Sequence, residues 1–67
     1  MNIKLNGKDI QILNHLKTIK DLLTEYQLDN RIVIVELNKE IIFKEQYDST
    51  ILSNGDSVEL IHFVGGG

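Results

Sequence analysis

The chain has 67 residues, of which 42% are hydrophobic and 25% charged, and its formal net charge at pH 7 is −3. A chain of this length forms one small domain with a thin core, because it buries only about 60% of its unfolded surface. Its seven Lys and Arg are scattered, which argues against nucleic-acid binding. The absence of Cys excludes disulfides, Cys-ligated clusters and a thiol nucleophile.

No segment approaches the roughly 18–20 apolar residues of a membrane span. The residues after Met1 do not resemble a signal peptide. We therefore expect a cytoplasmic protein that does not enter the membrane.

The N-terminal segment predicts a β-hairpin. Residues 1–5 and 9–12 alternate apolar and polar side chains, which is the period of a half-buried strand. Between them lies Asn6-Gly7, a strong signal for a two-residue type I′ turn, since both central residues of that turn need φ > 0.

A helix is predicted to begin after Thr18. Thr18 supplies a capping hydroxyl and Asp21 an acid three residues later, which is close to the capping-box pattern. We expect Asp29-Asn30 to stop the helix. The apolar residues form one stripe at helical spacing, at Ile19, Leu22, Leu23 and Tyr26.

Three further strands complete the pattern. Residues 32–37 are almost continuously apolar and β-branched, which is typical of a strand covered on both faces. Asn38-Lys39 turns the chain into a short return strand at residues 40–43. A tight turn at 54–56 precedes the last strand, residues 57–64.

This order of elements favours an α+β fold, in which a mixed sheet of about five strands packs on one helix. The right-handed crossover rule leaves few arrangements. A β-grasp, or ubiquitin-like, roll fits best, with the first and last strands as parallel neighbours. We expect the β-grasp domain to span residues 1–64, with residues 65–67 as a flexible glycine tail.

Alternation along the last strand predicts an exposed apolar surface. Glu59, Ile61 and Phe63 share one face, which we expect to be the outer one because a glutamate is costly to bury. The same argument at Glu36 places Ile34 outward on the third strand. Ile34, Ile61 and Phe63 should thus form a contiguous patch, which is typical of a partner site.

The chain ends in Val64-Gly65-Gly66-Gly67. Glycines without Cβ atoms can lie flat in a narrow channel. Three extended residues carry a carboxylate on the order of 10 Å from the folded body. The tail is therefore interpreted as a probe that reaches a reaction centre in another protein, and the alternative is a frayed end without function.

Four segments carry a family resemblance: residues 1–8, 35–42, 54–59 and 62–67. Together with Gln46-Tyr47 they make the chain resemble, over essentially its whole length, the bacterial sulfur-carrier family of thiamine biosynthesis, whose members are ubiquitin-like. The resemblance implies a protein co-substrate rather than an enzyme. The residues themselves show no metal-ligand spacing and no nucleophile–base pair, so we expect no metal site and no bound cofactor.

The resemblance implies three partners for this chain. An ATP-using enzyme similar to ubiquitin-activating enzymes would adenylate the carboxylate of Gly67. A persulfide protein would then supply the sulfur that converts this carboxylate to a thiocarboxylate. Thiazole synthase would receive that sulfur. Gly66 would lie with Gly67 at the reacting end. The residues expected to bind partners are Gly65, Val64, Phe63, Ile61 and Ile34.

Three alternatives remain open at this stage. The small subunit of molybdopterin synthase shares the roll, the tail and the thiocarboxylate chemistry. A ubiquitin-like modifier would instead form isopeptide bonds through the same tail. A plain β-grasp binding module would use neither the tail nor its carboxylate. His15, Tyr26 and His62 are given no chemical function, because a solvated loop histidine or a packed strand residue is commoner.

Overall fold

The computed structural model describes the backbone of residues 1–62 and the side chains of residues 1–61. Predictions that concern residues 63–67 lie outside this range. No helix among the described residues is long and apolar enough to cross a membrane. The elements in chain order are β1 (Asn2–Leu5), β2 (Lys8–Gln11), α1 (Ile19–Glu25), β3 (Val33–Leu37), β4 (Glu40–Ile42), a short 3-10 helix (Lys44–Gln46) and β5 (Ser57–His62).

The five strands form one mixed sheet in the order β2-β1-β5-β3-β4. β1 and β5 are parallel neighbours, with Lys4 opposite Ser57. The pairs β1–β2, β3–β4 and β3–β5 are antiparallel. The predicted α+β roll, a mixed five-stranded sheet with one helix, is confirmed.

The core lies between the helix and one face of the sheet. From α1 come Ile19, Leu22 and Leu23, as the apolar stripe predicted. Tyr26 does not continue this stripe, because it follows the helix as its C-cap residue and is 45% exposed. Among the described residues the buried core comprises Ile3, Ile12, Leu16, Ile19, Leu22, Leu23, Val35, Leu52 and Val58.

The helix ends earlier than predicted. Gln27 has a left-handed backbone (φ 59°), its N–H donates to Thr24 O at 3.0 Å, and Leu28 N–H donates to Leu23 O at 2.8 Å. These two bonds are the Schellman arrangement, which satisfies the last helical carbonyls. The prediction that Asp29-Asn30 stops the helix was therefore wrong, although a turn does occur there.

Two turns have the backbone that type I′ requires. Asn6 and Gly7 both have positive φ, at 49° and 83°, which confirms the predicted hairpin. Asn38 and Lys39 also have positive φ, at 52° and 72°, and they join β3 to β4. This second turn fixes the register in which β4 pairs with β3, because a two-residue loop allows only one alignment of the two strands.

The prediction that residues 32–37 are covered on both faces was wrong. Val35 is fully buried, whereas Ile34 and Glu36 are half-buried and Ile32 is 78% exposed. The one α-helix of residues 1–62 covers one face of the sheet, so alternate residues of β3 lie on the other, open face. Continuous apolar character in this strand therefore does not mean burial on both sides.

Candidate functional site at the end of the last strand

The last strand is held on both sides close to its end. On one side β3 pairs with it as far as Val33 opposite His62. On the other side the Asn6 amide bonds Leu60: Asn6 Oδ1 accepts from Leu60 N at 2.7 Å, and Asn6 Nδ2 donates to Leu60 O at 3.3 Å. The segment that leads into the terminal glycines thus starts from a well-anchored strand.

The outer face of this strand carries the residues that alternation predicted. Ile61 lies opposite Ile34, and Glu59 lies opposite Glu36. Ile61 is 45% exposed, and Glu59 is also exposed. Val35 and Val58, on the other face, are fully buried. The predicted register is confirmed for the residues the structure describes.

Two apolar residues of this surface were not predicted. Ile41 lies opposite Glu36 in β4 and is 54% exposed. Phe43 follows Ile42 in extended conformation and is 59% exposed, and alternation places it on the same face as Ile41. The Asn38-Lys39 turn could have identified Ile41, because a two-residue hairpin pairs Leu37 with Glu40 and then Glu36 with Ile41.

We call Ile34, Ile41, Phe43 and Ile61 the open-face patch. Contiguous exposed apolar residues mark interaction surfaces more often than scattered ones do. The structure brings Ile34 and Ile61 together as predicted. The other predicted site residues, Phe63, Val64, Gly65, Gly66 and Gly67, lie outside the described range.

Among the side chains of residues 1–61, no group of three or more His, Asp or Glu could hold a metal ion. A groove of about 420 Å³ lies against α1 and the 3-10 helix, and its lining mixes Lys20, Arg31 and Lys44 with Asp29, Glu45 and Asp48. The lining of this groove thus carries three basic and three acidic side chains.

Tyr47 also lines this groove and has a perturbed phenol. Burial, with a smaller contribution from the charge of Glu45, raises the pKa of Tyr47 above its ordinary value of 10.0. A phenol with a raised pKa stays neutral at physiological pH. Tyr47 is half-buried and packs against the hydrophobic core.

Comparison with known proteins points to one family. The profile of the ThiS family matches residues 3–67. The sulfur carrier protein ThiS of Bacillus subtilis (strain 168) is 55% identical over 65 residues, which cover 97% of this chain and 98% of that protein. The crystal structure of a thiamine biosynthesis protein (ThiS) from Geobacter metallireducens has a TM-score of 0.83 and 35% identity, with both chains fully covered.

A second kind of relative is much longer than this chain. A thiazole synthase of Paramagnetospirillum magneticum is 36% identical over 67 residues, which are all of this chain but 20% of that protein. That protein thus contains a segment like this chain together with a much larger remainder. From the matched profile, the full-length relative and the shared fold, we conclude that the chain belongs to the ThiS family.

Proposed function

We propose that this chain is a sulfur carrier of thiamine biosynthesis and carries sulfur on its C-terminal carboxylate. The observation that supports this most is its similarity to the Bacillus subtilis sulfur carrier over nearly the full length of both chains. The anchored β5 and the glycines that follow it agree with this proposal. Family membership favours it over the small subunit of molybdopterin synthase and over a protein modifier.

The chemistry would take place at Gly67. A carboxylate is a poor electrophile because its leaving group would be oxide. An ATP-using activating enzyme would convert it to a mixed anhydride with AMP and release pyrophosphate. A persulfide sulfur on a donor protein would then attack the acyl carbon and displace AMP. Cleavage of the sulfur–sulfur bond by a thiol would leave a thiocarboxylate, whose sulfur would pass to thiazole synthase.

In this scheme the chain is a protein co-substrate that acts in the cytoplasm, and its partners supply the catalysis. Gly65 and Gly66 would pass through a narrow channel in which a Cβ would clash, and the unhindered carbonyl of Gly67 would accept attack. Docking of Ile34, Ile61, Phe63 and Val64 would offset the entropy that the tail loses on binding.

Deletion of Gly67 tests the proposal directly. We expect the truncated chain to lose ATP-dependent adenylation, measured as pyrophosphate release with the activating enzyme, while its thermal midpoint stays unchanged. The full-length chain, given ATP, the activating enzyme and the sulfur donor, should gain the mass of one sulfur-for-oxygen exchange. Adenylation of the truncated chain at the full-length rate would contradict the proposal.

A further inference from the structure

Two glutamates lie directly opposite each other on the open face of the sheet. Glu36 of β3 pairs with Glu59 of β5 in an antiparallel ladder. Opposed side chains in such a ladder have Cβ atoms about 4.5–5.5 Å apart, and like charges in this position are destabilising. Two carboxylates therefore lie on neighbouring strands at the centre of the sheet's open face.

Neighbouring side chains do not relieve this repulsion. Neither glutamate side chain forms an ion pair or a side-chain hydrogen bond with another residue in the described part of the chain. Lys4 lies on the same face, opposite Ser57, but its ammonium is 4.0 Å from Asp9 Oδ1. On the β4 side the neighbour of Glu36 is the apolar Ile41.

The two carboxylates also adjoin the open-face patch. Ile34 and Ile61 form a cross-strand pair on the same face of β3 and β5. A partner that covers these isoleucines would also cover the glutamates and exclude water from them. Such burial is tolerable when the partner brings a cation, since an unpaired buried charge is costly.

We propose that the Glu36–Glu59 pair is a docking element for thiazole synthase, which would place an arginine or lysine over the two carboxylates while its apolar surface covers the open-face patch. A guanidinium suits this position because its planar fork can bond two carboxylate oxygens at once. The two carboxylates are then neutralised in the complex, so that neither is buried as an unpaired charge. This inference rests on the proposed function.

Thiazole synthase is the partner that the comparisons favour. Proteins of that name from Paramagnetospirillum magneticum and Magnetococcus marinus contain a segment similar to the whole of this chain. Two modules joined in one chain meet at a high effective concentration. Complementary charge supplies both association rate and specificity when two protein surfaces dock.

The test compares two double variants that remove the same amount of charge. Glu36→Gln/Glu59→Gln neutralises the proposed element. Glu25→Gln/Glu45→Gln neutralises two exposed glutamates of α1 and the 3-10 helix. The Kd of each variant and of wild type for thiazole synthase is measured at low and at high salt, together with the thermal midpoint of each free chain.

At low salt, we expect the Kd of the first double variant for thiazole synthase to rise at least roughly tenfold. The thermal midpoint of the free variant should stay the same or rise. Its binding should also depend less on salt than that of wild type, because fewer charges take part. The control variant should bind like wild type. If the two glutamates were merely structural, their replacement would lower the thermal midpoint. Weaker binding together with a raised midpoint would therefore indicate a role in docking.

Three results would overturn the inference. The first is an unchanged Kd for the Glu36→Gln/Glu59→Gln variant. The second is a lowered thermal midpoint that accompanies the weaker binding, which would indicate a structural contribution. The third is a loss of binding to the activating enzyme with thiazole synthase binding intact. If the wild-type chain still forms the thiocarboxylate, any of these three results leaves the proposed function intact. If the wild-type chain does not form the thiocarboxylate, the proposed function itself is refuted.

Discussion

At the scale of single residues, Asp21 shows how one carboxylate sets the start of the helix. Its Oδ2 accepts from Lys17 N at 2.9 Å and from Thr18 N at 3.1 Å, and Thr18 Oγ1 accepts from Asp21 N at 3.1 Å. The bonds from the Lys17 and Thr18 amides favour the charged form and hold the pKa of Asp21 below its ordinary value of 3.8. The predicted capping box is thus confirmed, with Asp21 as the acid.

This lowered pKa predicts a pH-dependent contribution to stability. Because the folded pKa lies below the unfolded one, the contribution of the Asp21 carboxylate is fully present above pH 3.8 and is lost as pH falls through the folded pKa. We expect Asp21→Asn to lower the thermal midpoint at neutral pH, and this difference from wild type should shrink below pH 3.8. Thermal unfolding followed by circular dichroism across this range measures it.

The matched control is Asp29→Asn, which neutralises an exposed carboxylate outside the helix. It should change the midpoint little at either end of the range. A difference between Asp21→Asn and wild type that stays constant down to the lowest pH would contradict the capping explanation.

At the scale of the elements, the end of the helix uses a residue that is poorly suited to its backbone. Gln27 lies in the left-handed region with φ 59°. A residue with a Cβ pays about 1–2 kcal/mol for this conformation, whereas glycine does not. Glycine in turn loses more backbone entropy on folding, which reduces its net advantage.

We therefore expect Gln27→Gly to raise the free energy of unfolding by about 0.5–1 kcal/mol. The control Lys20→Gly places the same residue inside the helix and should lower that free energy by about 0.5–1 kcal/mol. Urea unfolding of both variants measures the two values. A decrease for Gln27→Gly would mean that the glutamine side chain itself stabilises the helix end.

At the scale of the whole molecule, the one α-helix of residues 1–62 packs on one face of a five-stranded sheet. The other face carries the open-face patch and the Glu36–Glu59 pair, next to the strand from which the glycines continue. A partner that covers this surface would also cover the outward-facing residues of β5, the strand that precedes the glycines in sequence.

This arrangement predicts that binding and stability can be separated at Ile61. Since Ile61 is 45% exposed, about half of its burial energy can be lost, and Ile61→Ser should cost the free chain about 1–1.5 kcal/mol of stability. We expect the KM of the activating enzyme for this chain, from pyrophosphate release, to rise roughly tenfold if Ile61 is an anchor of the interface.

Ile51→Ser is the control, because Ile51 is 62% exposed but lies outside the sheet. It should leave KM unchanged. Equal effects of the two substitutions on KM would argue against the open-face patch as a docking surface.

Much of this architecture could be predicted because it depends on neighbours in sequence. The Asn6-Gly7 turn, the capping box at Thr18 and the helical stripe are each specified within a few residues. The end of the helix was missed, because Gln27 gives no sequence signal for a left-handed conformation that the bonds of Leu28 and Gln27 stabilise. Ile41 was missed although the predicted Asn38-Lys39 turn sets it opposite Glu36, whereas the exposure of Phe43 depends on how the chain leaves β4.

Local chemistry thus specifies the turns, the helix start, the alternation of the last strand and the terminal glycines of this protein. Tertiary structure specifies which residues meet across strands, because pairing joins segments far apart in the chain. It sets Glu36 against Glu59 and Ile34 against Ile61. It also leaves one face of the sheet open, since the one α-helix of residues 1–62 packs against the opposite face.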